Sequence, residues 1–296
     1  MSSWVVAQTG DPSARADVRR VHADGWGTYA TDFEPDSRFD EQVPYTLSAD
    51  GALNGLTGIV SGEGPLYAEG DLDPDDETLG FGIGIRLDRD ASQLTLNGTY
   101  LACTISFETA GGAASTGVNS ISADGLATLA SEILVHSDGA TGSTSRLFNV
   151  LEGYLVVEGG AVGGVTADGS LFAVADQNGD SGATSLQVAI RSSSGATAAL
   201  CSGSYVGFGF VVDQSEVVTQ RTVIDANGEG EVRISHAGSD GRDGFRVGSC
   251  TVSENGVLGL DDGRTGVIRE DGGVFALVDT DATDGAISIW ICVRRS

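Results

Sequence analysis

Three short acidic runs hold the residues of this chain best suited to chemistry. They read Asp71-Leu72-Asp73-Pro74-Asp75-Asp76-Glu77, Asp176-Gln177-Asn178-Gly179-Asp180 and Asp279-Thr280-Asp281-Ala282-Thr283-Asp284. Calcium takes about six to eight oxygens at tolerant geometry, so short acids at alternate positions, helped by backbone carbonyls, can wrap it. The ligands implied are Asp71, Asp73 and Asp75; Asp176, Asn178 and Asp180; and Asp279, Asp281 and Asp284. Calcium is the one cofactor the pattern suggests. None of the runs carries the closing Glu of an EF-hand loop, and Asp, Asn and Gly are also the ordinary residues of exposed β turns.

Other chemistry is thinly represented. The histidines His22, His136 and His236 share no metal-ligand spacing. The chain has no GxSxG, HExxH or phosphate-binding glycine loop. Trp26, Tyr29, Phe33 and Phe39 stand among acids and could form a sugar-binding surface, although packing aromatics are more common. Arg86, Arg191 and Arg294 recur at equivalent points; they could line a channel, bind an anion or pair with a neighbouring carboxylate. No catalytic constellation is visible, so the balance is against an enzyme.

The acidic runs are positioned by a repeat. Each follows an aromatic (Tyr67, Phe172, Phe275) by four residues, and each leads to a strand closed by Arg86, Arg191 or Arg294. The three copies lie about a hundred residues apart and divide the chain into 3–95, 96–199 and 200–296. Each opens on an aromatic strand around Trp4, Tyr100 or Tyr205. Asp24-Gly25, Asp124-Gly125 and Asn227-Gly228 then mark a tight hairpin in each. Two further hairpin signals and the closing strand bring each copy to about eight strands. Gly125 to Val135 has some helical periodicity, but it aligns with hairpins in the other copies and reads as strand.

The closing strands carry the strongest packing signal. Phe81, Ile83 and Ile85, then Leu186, Val188 and Ile190, then Ile289, Ile291 and Val293 make one apolar face. Gly84, Ala189 and Cys292 share one small position on the other face. Such a strand is expected to be buried on both sides. The fold expected is all-β, one domain of three repeats closed into a toroid resembling a six-bladed β-propeller. The alternatives are a large pseudo-threefold β-barrel or prism, and three small β domains in tandem.

Charge limits the partners. Forty-two acids face 16 basic residues, all arginine, for a net charge of −26. That charge repels nucleic acid and anionic membranes, and favours cations, a cationic partner or a high-salt setting. No apolar run reaches the length of a membrane-spanning helix. Met1-Ser2-Ser3 runs directly into Trp4, so the chain is expected to be extracellular or at the cell surface with its leader absent, or else cytoplasmic. Cys103, Cys201, Cys250 and Cys292 form no CxxC pair and read as buried free thiols or as disulfides.

The function expected is a non-enzymatic β-repeat binding module for an unknown ligand or protein partner, extracellular and calcium-stabilised. A propeller-type hydrolase or lyase acting on a sugar or lactone is the alternative. A self-associating structural subunit of a filament or surface layer is the third.

Overall fold

The computed structural model describes residues 2–9, 15–23, 28–33, 39–44, 46–48, 51–53, 58–61, 66–70, 79–108, 114–178, 183–213, 216–281 and 286–295. The first repeat forms β1 (Ser2–Thr9), β2 (Arg15–Ala23), β3 (Thr28–Phe33), β4 (Phe39–Pro44), β5 (Ala52–Leu53), β6 (Gly58–Val60), β7 (Leu66–Gly70) and β8 (Leu79–Ile85). The second forms β9 (Asn97–Glu108), β10 (Ala114–Asp124), β11 (Thr128–His136), β12 (Ser143–Leu151), β13 (Tyr154–Val157), β14 (Val162–Val165), β15 (Leu171–Asn178) and β16 (Ala183–Arg191). The third forms β17 (Gly203–Asp213), β18 (Glu216–Ala226), β19 (Glu231–Gly238), β20 (Asp243–Val252), β21 (Val257–Leu260), β22 (Arg264–Ile268), β23 (Val274–Asp279) and β24 (Ala286–Arg294).

The strands are antiparallel neighbours in sequence, and in all three repeats the last also pairs with the first, β8 lying against β1 with Gly84 opposite Trp4. Strand β16 lies against β9, with Gln187 opposite Thr104, and β24 lies against β17, with Trp290 opposite Gly209. The second and third repeats are each a closed eight-stranded barrel. In the first repeat the described strands follow the same cyclic order as a sheet running from β4 to β5. All-β architecture and eight strands per repeat are present, but the propeller is not. A propeller blade is a four-stranded sheet around a channel. Here the eight strands of a repeat are one continuous meander joined at its own ends, so neither a ring of blades nor one large barrel forms.

Turn chemistry follows the sequence signals. Gly125 and Gly228 take positive φ values of 70° and 76° after Asp124 and Asn227. The Asp124 carboxylate accepts from the backbone N–H groups of Leu126, Ala127 and Thr128, each at 2.9 Å. Those three donors, the Thr128 N–H first, hold its pKa down to about 2.

Two kinds of core result. The barrel interiors hold separate clusters, one around Tyr100, Leu155 and Phe172, the other around Tyr205, Leu277 and Trp290. A third cluster lies outside the barrels and contains the apolar faces of β8, β16 and β24. It joins all three repeats, and the Phe107 and Phe210 rings meet edge-on within it at 5.7 Å between centroids. The closing strands are buried on both sides as the sequence predicts, with Ala189 and Cys292 facing the barrel interiors.

The Arg–Tyr pairs close the lower end of each barrel. Tyr205 Oη donates to the Gly272 carbonyl at 2.9 Å, and Arg294 Nη2 donates to Tyr205 Oη at 2.9 Å and to the Leu200 carbonyl at 2.8 Å. Tyr100 Oη repeats the first bond with Gly169 at 2.8 Å, and Arg191 Nη2 reaches Tyr100 Oη and the Thr95 carbonyl, both at 3.2 Å. The recurring Arg191 and Arg294 thus tie barrel to connector, rather than lining a channel or pairing with a carboxylate. The connectors contain short 3-10 turns, Gln93–Thr95 and Ala198–Cys201, and insert Leu96 and Cys201 under the barrels. All four cysteines are buried free thiols. Cys201 and Cys250 lie together in the core of the third barrel, and the neighbouring Cys250 thiol, with burial, raises the pKa of Cys201.

Close strand approach depends on glycine at one repeated position. A Cβ on Gly163 would lie 1.8 Å from the Ala173 carbonyl oxygen, and one on Gly266 would lie 1.9 Å from that of Ala276. Backbone cannot yield as a flexible side chain does. Gly266→Ala is therefore expected to destabilise the chain by about 1–3 kcal/mol, the usual cost of overpacking. A lowered urea midpoint in the full chain checks this; an unchanged midpoint contradicts the close approach.

Candidate functional site: an open barrel interior

The second barrel is filled below and empty above. Its floor is apolar: Ile121, Leu129, Phe148, Leu155 and Phe172 are buried there, and Tyr100 meets Phe172 edge-on at 5.1 Å. Above the floor is a cavity of about 410 Å³ that opens near Thr141 to Thr144. That volume falls in the lower part of the range for small-ligand pockets, about 300–1,000 Å³.

The walls of the cavity differ. On one side β13, β14 and β15 contribute Val157, Ala161 and Val174. On the other, β16, β9, β10 and β11 contribute Ser185, Gln187, Thr104, Ser106, Asn119 and Ser131. Strand alternation puts these polar groups inside while Leu101, Cys103, Ile105 and Val188 face the outer core. A β-bulge helps to set the polar wall. The ladder of β10 with β11 pairs Val118 with Val135 and Asn119 with Ile133, skipping Leu134. Bulges commonly redirect side chains beside binding sites.

The polar wall is only partly hydrogen-bonded internally. Asn119 Nδ2 and Gln187 Nε2 both donate to Thr104 Oγ1, at 3.1 and 3.0 Å. Asn119 Oδ1 has no partner in the protein. At the rim Arg146 Nη1 lies 3.3 Å from Asp176 Oδ2, and Asp176 Oδ1 also has no partner. His136 lines the opening and is hydrogen-bonded through Nδ1 to Asp138. The backbone N–H of Ala140 and the His136 ring together hold the Asp138 carboxyl below its ordinary pKa, against the opposing effect of burial. Asp176 is the sole carboxylate among the described residues of the lining, so no pair of acids converges for general acid–base work.

The third barrel shows what fills this space in another copy of the repeat. Trp290 stands where the second barrel has Gln187, and Gly209 stands where it has Thr104. A Cβ on Gly209 would come within 2.0 Å of the Trp290 ring, so glycine is what admits the indole. Arg264 stacks over that ring at 4.7 Å and bonds to Asp262 through Nε at 2.6 Å. Among the described residues of that barrel a space of about 10 Å³ lies between Cys201, Tyr205 and Leu258. The second barrel has Ala161 in place of Arg264.

Part of the second and third acidic runs falls among the described residues. Asp176 and Asn178 belong to β15, paired opposite Ser185 and Ala183, so the run begins in the strand ladder and not in a turn. Asp279 ends β23, and its Oδ1 accepts from the Asp281 N–H at 3.0 Å. Among the described residues no three metal-ligating side chains converge. Asp71, Asp73, Asp75, Asp180 and Asp284 lie outside the described residues, as does Trp26. Tyr29, Phe33 and Phe39 fall on β3 and β4, His22 on β2 and His236 on β19. Thr104, Asn119, Arg146 and Gln187 were not singled out by the sequence patterns. Their signal is a contrast between copies, Gln187 against Trp290 and Thr104 against Gly209, and not a motif within one copy.

No family model and no curated protein matches the chain. Among solved structures it is similar to isotype 1 transferrin binding protein B from serogroup B Neisseria meningitidis. The identity is 10%, the TM-score 0.33, and the match covers 100% of this chain and 76% of that one. It is also similar to a mutant of the vaccine antigen transferrin binding protein B from Haemophilus parasuis, at 8% identity and TM-score 0.35, covering 100% and 77%. A protein of unknown function from Nostoc punctiforme is similar at 11% identity and TM-score 0.22, covering 68% and 97%. No residue of the cavity is assigned from these likenesses. No helix among the described residues is long and apolar enough to cross a membrane.

Proposed function

We propose that the chain is a non-enzymatic binding module whose site is the open interior of the second barrel. One observation carries this reading: the same repeat occurs once plugged by Trp290 and Arg264 and once open, lined by under-bonded polar groups. The third barrel also buries a polar atom without a partner, Trp290 Nε1, so the open volume of the second barrel is what distinguishes the two copies. Closed barrels of eight strands have room for one small ligand.

The test transfers the plug. Thr104→Gly with Gln187→Trp places an indole in the second barrel and makes room for it as Gly209 does. Ligand-observed NMR with a library of one- and two-ring fragments then compares the two proteins. Fragments that bind the native chain and not the plugged one support the proposal. An identical set bound by both overturns it, provided the circular dichroism spectra agree.

Calcium in the acidic runs is a second part of the proposal and rests on the sequence pattern. The melting midpoint is expected to rise with calcium, and chelator should reverse the rise, because a ligand that binds only the folded state stabilises it. Equal shifts with calcium and with molar NaCl would reduce the effect to charge screening. An extracellular or cell-surface location completes the reading, and is checked by degradation of the chain when protease is added to intact cells.

A further inference from the structure

We infer that the ligand of the second barrel is a neutral saccharide of one or two rings, an assignment that rests on the binding role proposed above. Charge is the first argument. The basic side chains of the lining are already engaged, Arg146 with Asp176 and His136 with Asp138. The chain as a whole carries −26. An anionic guest would meet no free positive group in the cavity and a repulsive field on approach. A cationic guest would compete with Arg146 for Asp176, the sole carboxylate among the described residues of the lining.

The polar wall gives the second argument. Thr104 Oγ1 accepts from both neighbouring amides, which uses both of its lone pairs. Asn119 Oδ1 and Asp176 Oδ1 are left as acceptors without donors. Ser106, Ser131 and Ser185 add hydroxyls that both give and take hydrogen bonds. A ligand suited to this wall must do the same at several points along one edge, which is the property of a row of sugar hydroxyls. A wholly apolar guest would leave the wall unpaired and bear its desolvation.

The third argument is shape. Val157 on β13 stands across the barrel from β9, and Val174 lies beside Gln187 on the neighbouring strand, with Phe172 at the floor. A pyranose has an apolar C–H face beside its hydroxyl edge, so it satisfies both walls in one orientation. The cavity of about 410 Å³ limits the guest to one or two rings.

The experiment is a ligand-observed NMR titration of the full chain. The neutral arm contains glucose, galactose, mannose and their disaccharides. Glucuronate, glucosamine and adenosine represent anionic, cationic and planar guests. Asn119→Leu and the plugged Thr104→Gly/Gln187→Trp protein are run in parallel, with melting midpoints confirming that both fold. At least one neutral sugar is expected to bind the native chain. Asn119→Leu should weaken that binding at least tenfold and the plug should abolish it, and glucuronate should bind more weakly than glucose. If only adenosine or glucosamine binds in a plug-sensitive way, the saccharide assignment is wrong and the cavity remains a binding site. If the library and every arm here show no plug-sensitive binding, both readings fall.

Discussion

The outward faces of the three closing strands, β8, β16 and β24, meet in one apolar core, and the rest of the structure depends on that contact. Phe81, Ile83, Ile85, Leu186, Val188, Ile190, Ile289, Ile291 and Val293 are all buried in it. Full burial of such a side chain is worth roughly 1.5–3 kcal/mol, whereas an exposed ion pair is worth about 0–1 kcal/mol. Nine of them can hold together a chain whose net charge of −26 works against compactness. The barrels therefore pack by their outer surfaces. Because β16 and β24 are covered outside, only small residues such as Ala189 and Cys292 fit at the closest point inside.

That arrangement fixes which positions are free to vary. Leu101, Cys103 and Ile105 of β9 belong to the common core, so the alternating residues Ala102, Thr104 and Ser106 must face the barrel. The lower interior is also constrained, by the Tyr–Arg bonds to the connectors at Tyr100 and Tyr205. The upper interior faces neither the shared core nor a connector. Residues there can change from Trp to Gln or Gly to Thr without disturbing the contacts between repeats, and this is where the second and third barrels differ.

Much of the fold was legible in the sequence because it is local. Strand alternation, the Asp-Gly turns and the repeat itself are short-range patterns, and Thr128–His136 is strand despite the helical spacing of its leucines. Ring closure was not legible. Eight strands per repeat serve two four-stranded blades or one eight-stranded barrel equally well. The choice lies in whether β16 pairs with β9 of its own repeat, an interaction across most of the repeat. One acidic run departs from its local pattern for a related reason. Asp176 looks like the start of a turn, but the ladder continues to Asn178 and turns its side chain toward Arg146. The arginines misled because a carboxylate is the expected partner of a guanidinium, and here tyrosine hydroxyls and backbone carbonyls take that place.

The second and third barrels pack the same repeat differently, one around an open cavity and one around an indole. In the third barrel Trp290 and Arg264 replace water with an aromatic ring and a stacked cation, even though the indole Nε1 finds no acceptor. The fold therefore tolerates an imperfect plug. The second barrel has Gln187 and Ala161 at those positions, and an amide pair that converges on one threonine hydroxyl. Polar groups in such a space are stabilised when something in the cavity completes their bonds. The second and third barrels therefore differ in their upper interiors, while the shared core holds the remainder of each copy to one pattern.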